Sequence, residues 1–379
     1  MPRFEPFQAL RYRRNVDLHD VCSPPYDVLS DLDRLALATA HANNIVHIDM
    51  PLASSGNAYE HAAVVLNQWI TEGVLVRDDQ PSFTLYRMKF TDTTGKARNV
   101  VGVIGALEVV DEGAGGVLPH ERTTPKAKTD RLELTRATDA NLSPVWGLSL
   151  ATGLSTLLTE PAELLGELTD DLGVVHSVER VTDDAHIAAI SAAIAAHPVV
   201  IADGHHRYAI SRTYRDEVRE RTNSTSTGAE LTMTYVNELI DEQLSVAAIH
   251  RLYEGITYKE LAAALSPFFT INDADPVGPS TLSQMNERGS LCLVAKTGRT
   301  HWLTPIAEKF AGVRNLDSAY LEHALSSVQH EVRYQHGVTE VQHELSTSDA
   351  AAAILIRPVS VAEIQRTANE GLLMPPKST

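Results

Sequence analysis

Apolar positions along the chain recur with two periods, and the changes of period mark the elements. In AYEHAAVVLNQWITEGVL (58 to 75), Ala62, Val65, Leu66, Trp69 and Ile70 fall on one stripe at helical spacing and predict an amphipathic helix. SFTLYRMKF and NVVGVIGALEVV are β-rich and flank TDTTGKAR, whose Thr-Gly-Lys centre suits a hairpin, so an antiparallel pair is predicted. IVHIDMPL (45 to 52) reads as a strand, VWGLSLA as a strand, PAELLGELTDDL as a helix and GVVHSVERVT as a strand. DDAHIAAISAAIAAH predicts a helix opened by an Asp cap, PVVIA a short buried strand, and RYAISRTYRDEVRER a second helix. LTMTYVNEL and LSVAAIHRLY follow as strands around the acidic turn IDEQ. The last third alternates again: a helix near 258 to 265, strands FFTIND and SLCLVAK, a helix near 316 to 329, the strand AAAILIRP and the helix VAEIQRTANEG. Hairpins beside αβ alternation give an α+β fold with mixed sheets.

Composition narrows the class. The 379 residues are 43% hydrophobic and 21% charged, an ordinary folded composition with length for two or three domains. The expected regions are 1–155, 156–255 and 256–379. Lys and Arg total 32 against 49 Asp and Glu, a formal charge of -17, so the overall field disfavours nucleic acid and acidic membrane surfaces. An anion site must therefore be local. Cys22 and Cys292 show neither CxxC nor Cys/His spacing, which argues against a disulfide framework or zinc module and for a reducing cytoplasm. The start MPRFEPFQALRYRRN lacks the apolar core of a signal peptide, and no stretch approaches the ~20 apolar residues of a membrane span.

Candidate chemistry gathers in two places. After Gly113, Gly115 and Gly116 comes PHERTTPKAKTDRLELTRATDANLSP, dense in His, acidic, basic and amide groups and poor in apolar period, which reads as a functional loop. Downstream, VVIADGHHRYAI (199 to 210) sets a β-branched run against Asp203-Gly204-His205-His206-Arg207. A glycine at a strand-to-helix junction lets backbone amides face outward, and a helix start carries partial positive charge. Arg207 adds a planar donor fork matched to phosphate or carboxylate oxygens. A metal reading is weaker, because adjacent helical histidines project about 100 degrees apart whereas helical ligand pairs sit at i, i+4. A purely structural reading also stands, with Asp203 capping the helix and the histidines bonded to nearby backbone. GxxxxGKS/T, GxSxG and HExxH are all absent, which disfavours a Walker ATPase and the commonest serine hydrolases and zinc proteases.

SPPYDVL (23 to 29), PHERTTPKAKTDRLELTRATDANLSPVWGL (119 to 148), IADGHHRYAI (201 to 210), SVAAIHRLY (245 to 253) and LMPPKST (373 to 379) together resemble the bacterial domain of unknown function 1015 family. The blocks lie in order over nearly the whole chain. Within them DGHHR is similar to the phosphate-binding element of the ParB/sulfiredoxin-like superfamily, to which free serine kinases belong. The resemblance implies a ParB/sulfiredoxin-like catalytic core spanning the middle region, with accessory αβ regions. It further implies a cytoplasmic phosphotransferase acting on a small hydroxyl substrate, free serine or phosphoserine, with ATP, ADP or pyrophosphate as phosphate partner and Mg2+ held by carboxylates.

On that reading the catalytic candidates are His120, Glu121, Asp203 and His206, with Glu121 or Asp203 taking the hydroxyl proton and the other holding Mg2+. Phosphate and substrate contacts fall to Asp27, Lys128, Asp130, Arg131, Asn141, Gly204, His205, Arg207, His250, Arg251, Lys377 and Ser378. Bland readings remain beside these: Lys128, Asp130 and Arg131 as a solvated charged loop, Asn141 and Asp27 as turn residues, His250 and Arg251 as a strand-end pair. Family members run on past the block that ends here at Thr379, which sets the roles of Lys377, Ser378 and Thr379 apart from the rest. Two other functions share the same residues: a nucleotide-binding regulatory protein that uses the cradle as a switch, and a small-molecule phosphatase that passes the phosphoryl group to water.

Overall fold

The computed structural model describes residues 1–14, 16–52, 56–92, 95–119, 128–244 and 248–370, with backbone alone at 119, 128, 129, 368 and 369. The chain divides into two compact units, Met1–Ser245 and Val246–Thr379. Both are α+β. The first two regions expected from the sequence contribute strands to one sheet, and the 155/156 boundary falls inside a short helix, Leu154–Leu157.

Strands of the first unit are β1 (Phe4–Glu5), β2 (Leu10–Tyr12), β3 (Leu75–Arg77), β4 (Phe83–Thr91), β5 (Ala97–Glu108), β6 (Val117–Pro119), β7 (Val145–Ser149), β8 (Glu163–Thr169), β9 (Val175–Val181), β10 (Val199–Asp203) and β11 (Leu231–Glu238). Its helices are α1 (Leu18–Val21), α2 (Asp31–Ala40), α3 (Val46–Asp49), α4 (Ala58–Thr71), α5 (Lys128–Thr138), α6 (Leu154–Leu157), α7 (Asp184–Ala195) and α8 (His205–Thr222). Nine strands form a mixed sheet in the order β6-β10-β7-β11-β5-β4-β9-β8, with β1 paired to β5. The expected hairpin is β4–β5, antiparallel from Thr84↔Ile104 to Thr91↔Ala97. β10 lies between β6, parallel to it, and β7, antiparallel. One face of the sheet packs Phe83, Leu85, Val103, Val199 and Ile201 against Ile190 and Ile194 of α7, whose first turn is capped by Asp183 as the sequence predicts.

Two sequence expectations fail here for identifiable reasons. IVHIDMPL forms α3 rather than a strand: Val46 and Ile48 alternate like strand residues, but buried Asn44 accepts from Val46 N (3.1 Å) and donates to the Asp20 and Cys22 carbonyls (both 2.9 Å), which fixes a helical turn. PAELLGELTDDL forms β8, an edge strand on β9, rather than a helix. Gly166 is its signature, since a Cβ there would lie 2.5 Å from the Leu18 side chain of α1.

The second unit contains β12 (Ile249–Glu254), β13 (Phe269–Ala274), β14 (Leu291–Ala295), β15 (Thr300–Pro305), β16 (Glu331–His336) and β17 (Ala352–Leu355), with α9 (Tyr258–Leu265), α10 (Thr281–Arg288), α11 (Asp317–Leu325), α12 (Val338–Thr347) and α13 (Val361–Asn369). Six strands run in the order β13-β15-β14-β17-β12-β16, every pair antiparallel. Both faces are covered. Tyr253, Leu293 and Ile354 pack with Leu261 of α9 and Leu321 of α11, while Leu252, Cys292 and Trp302 pack with Met285 of α10 and Leu345 of α12. The opposite facing of Leu252 and Tyr253 is the period-two alternation of a strand.

His250 is 1% exposed on β12, and its Nδ1 accepts from Ile356 N at 3.2 Å. Burial, with His336 and Arg251 adding to it, lowers its pKa from 6.5 to about 4. A histidine held neutral in the fold but free to charge when unfolded makes stability full above pH 6.5 and progressively lost as pH falls to about 4, on the order of 3 kcal/mol. His250→Asn keeps an acceptor for Ile356 N without the titration. Denaturant unfolding of the variant should therefore show a shallower loss of stability between pH 6.5 and 4 than the parent; parallel curves would refute the assignment.

Candidate functional site

The site forms where β10 hands over to α8. Pairing of β10 with β7 shifts register between Ile201 and Asp203, an irregularity that re-aims the strand end. Gly204 then takes φ +85°, a left-handed conformation, and serves as the N-cap of α8 with no side-chain cap bond. A Cβ on Gly204 would lie 3.0 Å from Arg207 Nε, because the Arg207 side chain folds back over the turn. Asp203 therefore does not cap the helix. Its carboxylate instead accepts from Arg207 Nη2, while Arg207 Nη1 donates to the Pro144 carbonyl. His205 is buried and His206 half-buried at the first two positions of α8.

A second arginine reaches the same place from α5, so the expected loop is helical from Lys128 to Thr138. Arg131 Nη1 donates to the Asp49 carbonyl (2.7 Å) and to Asp49 Oδ1 (3.0 Å), its Nε to Asp130 Oδ2 (2.7 Å), and its guanidinium lies 4.4 Å from the centre of the Tyr26 ring. Asp49 is 7% exposed, and Ser143 Oγ donates to its Oδ2 at 3.5 Å. Burial pushes the Asp49 carboxyl above its usual range, although Arg131, Ser143 and Arg207 all pull it down. Burial likewise raises the Tyr26 phenol, which feels the charges of Arg207, Arg131 and Asp203.

Asp49, Arg131, Ser143 and Arg207, with Asn141 and Thr232, line a half-open cavity of ≈ 40 Å³. On this measure one water takes about 10–15 Å³, so the cavity admits a group of about three waters' size, with any larger portion of a ligand outside it. The walls are held by neighbours. Asn141 Oδ1 accepts from Thr232 Oγ1 (2.9 Å) and Met233 N (3.4 Å), and Tyr208 OH bridges Val110 N to the Glu108 carbonyl, 2.9 Å on each side.

Of the sequence candidates, Asp203, Gly204, Arg207, Arg131 and Asn141 come together here. Asp27 is exposed, next to Tyr26. Asp130 is an outer group that accepts from Tyr59 OH (2.8 Å). His250 and Arg251 belong to β12 of the second unit. His120, Glu121, Lys377, Ser378 and Thr379 lie outside the described residues, as does the Lys128 side chain. Sequence reasoning missed Asp49, Ser143 and Tyr26; the one signal for Asp49 was an acid closing the apolar run IVHID. Among the described residues no group of three or more His, Cys, Asp or Glu is placed to hold a metal ion. Asp203 is engaged by Arg207, so those residues offer Mg2+ no donor set.

Fold and site together define an α+β protein with a two-arginine cleft around a buried carboxylate at the head of a helix. The chain belongs to the family described as "Protein of unknown function (DUF1015)", whose model matches residues 4–319. Curated proteins provide no match. Solved structures that it resembles include a free serine kinase in complex with AMP (12% identity, 69% of this chain and 82% of that one, TM-score 0.35). SbnI with C-terminal truncation from Staphylococcus aureus is another (12% identity, 72% and 80%, TM-score 0.40), as is a conserved hypothetical protein from Pyrococcus furiosus (11% identity, 69% and 85%, TM-score 0.37). Likeness at this level fixes no activity.

Gly204→Ala places a side chain both in a left-handed conformation and against Arg207. It should destabilise the protein by about 1–3 kcal/mol in urea unfolding; an unchanged midpoint at equal slope would show that the turn accommodates a Cβ.

Proposed function

We propose that the first unit is a phosphotransferase acting on a small hydroxyl substrate, free serine or phosphoserine, with a nucleotide or pyrophosphate as phosphate partner. The observation that carries this reading is the convergence of Arg131 and Arg207 on buried Asp49 beside the start of α8, where N-cap Gly204 makes no side-chain cap bond. The similarity of DGHHR to a phosphate-binding element adds to it.

The chemistry follows from the groups. A carboxyl held above its usual range is a better proton acceptor than an ordinary one. Asp49 takes the hydroxyl proton as the substrate oxygen attacks phosphorus and the bond from phosphorus to the donor oxygen breaks. Arg207 and the first amides of α8 hold the phosphoryl oxygens, where charge spreads in the transition state. Arg131 keeps Asp49 oriented. An amphoteric cleft also suits an amino acid, whose carboxylate and ammonium need opposite charges.

Purified protein incubated with serine, Mg2+ and ATP, ADP or pyrophosphate in turn, followed by phosphorus NMR, should show phosphoserine forming as the phosphate partner is consumed. Orthophosphate as the sole product would instead identify a phosphatase, and tight nucleotide binding with no phosphate movement a regulatory protein. Arg207→Ala should lower kcat and raise KM for the phosphate partner together, with Arg207→Lys between it and the parent. Wild-type kinetics in a folded Arg207→Ala protein would sink the reading.

Asp49→Asn should lower kcat by about 10²–10⁴-fold. Because a base works only when deprotonated, the acidic limb of the parent's kcat/KM profile should lie above the ordinary aspartate value of 3.8 and vanish in the variant. A limb that persists in Asp49→Asn would assign the base elsewhere.

A further inference from the structure

Arg251, on β12 of the second unit, is 3% exposed, yet neither Nη1 nor Nη2 meets a hydrogen-bond partner among the described residues. Its guanidinium lies 5.5 Å from the centre of the Tyr334 ring. Tyr334 is directly opposite Arg251 on β16, an edge strand, and is 40% exposed. On the other side Arg251 registers with Ile354 of β17, an apolar neighbour that offers it no side-chain acceptor. Glu322 of α11 is close enough to act on the Tyr253 phenol.

An unpaired buried charge is among the costliest features a fold can carry. A histidine escapes by losing its proton, as neighbouring His250 does. Arginine cannot, since its guanidinium stays charged throughout the range in which proteins fold. Only a partner relieves it, and two adjacent terminal nitrogens in one plane match two oxygens of a single oxyanion. The nitrogens lie beside a half-exposed ring on the outermost strand, the part of the sheet that moves at least cost, so rotation of Tyr334 is the way in.

We infer that Arg251 is the receptor of an oxyanion site on the second unit, taking a phosphoryl or carboxylate group bidentately with Tyr334 as its cover. The inference stands on Arg251 alone and is independent of the function proposed for the first unit.

Hydrogen–deuterium exchange on the full chain tests it, with sodium phosphate and then sodium acetate titrated at ionic strength fixed by sodium chloride. Peptides over 249–254 and 331–336 report this site, and those over 204–210 report the first unit, so either proposal can fail without the other. Exchange at 249–254 and 331–336 should slow by about threefold or more as anion binding stabilises the strand pair. R251M should abolish the slowing, and R251K, which keeps the charge but not the fork, should need about tenfold more anion. Slowing by phosphate alone assigns a phosphoryl group, and slowing by acetate as well assigns a carboxylate-sized anion. No slowing with either probe, or equal slowing in R251M, overturns the inference. If circular dichroism shows R251M unfolded, R251K decides: an unchanged half-saturating concentration overturns it.

Discussion

The ion pair between Asp49 and Arg131, under the field of Arg207, is the interaction on which the first unit's cleft depends. Each member comes from a different part of the chain: Asp49 from α3, Arg131 from α5, Arg207 from α8, and the Pro144 carbonyl and Ser143 hydroxyl from the segment leading into β7. Removing one partner from a buried pair costs on the order of 3–5 kcal/mol, because the other is left charged without compensation. The same pair therefore holds α3 and α5 in place and sets the electrostatics of the cavity. A carboxylate buried this deeply, with its pKa still pushed up, means desolvation outweighs even two nearby arginines.

Backbone geometry delivers the third component. The register shift at the end of β10 and the left-handed Gly204 turn the chain so that α8 begins at the cleft, and Arg207 closes back over that turn. A chain with formal charge -17 repels anions at long range, so an anion that binds here does so through short-range, directed donors. Tyr208 fastens α8 to the end of β5, and Asn141 fastens the approach to β7 onto β11, which leaves those donors little freedom. Preorganisation of this kind is what lets a few polar groups do chemistry in a small space.

Much of this was legible in the residues. β-Rich apolar runs located β4, β5, β7, β9, β10 and β11, and an Asp cap located α7, because those elements bury apolar residues or carry a local signal. The DGHHR turn was legible as an anion-facing junction for the same reason: glycine, helix start and arginine act within five positions. Asp49 was not, since its significance lies in Arg131, 82 residues away, and Arg207, farther still, and a lone acid after an apolar run looks like a strand's solvent face. Strand β8 was misread because Leu-rich, Glu-containing sequence favours helix until the edge of β9 and the contact of Leu18 at Gly166 override it. In the second unit, α10, β15, β16 and α12 carry short or mixed patterns that only the assembled sheet resolves.

The Asp203–Arg207 pair gives the cleft a property that the motif alone does not show. Arg207 is already satisfied by a carboxylate and a carbonyl, so an incoming anion competes with Asp203 for the same fork. Asp203 is mostly exposed and returns to water at little cost, whereas Arg207 is largely enclosed and gains from any anion that follows it inward. Such an exchange favours the more highly charged competitor, since a phosphate dianion offers the guanidinium a stronger field and more acceptor oxygens than a single carboxylate. On the proposed reading, Asp203 holds the Arg207 fork in place until an anion with more charge and more acceptor oxygens takes it over. The arrangement behind that exchange is an acid four residues before an arginine across a glycine turn, where the strand ends and the helix has not yet closed its first ring of hydrogen bonds.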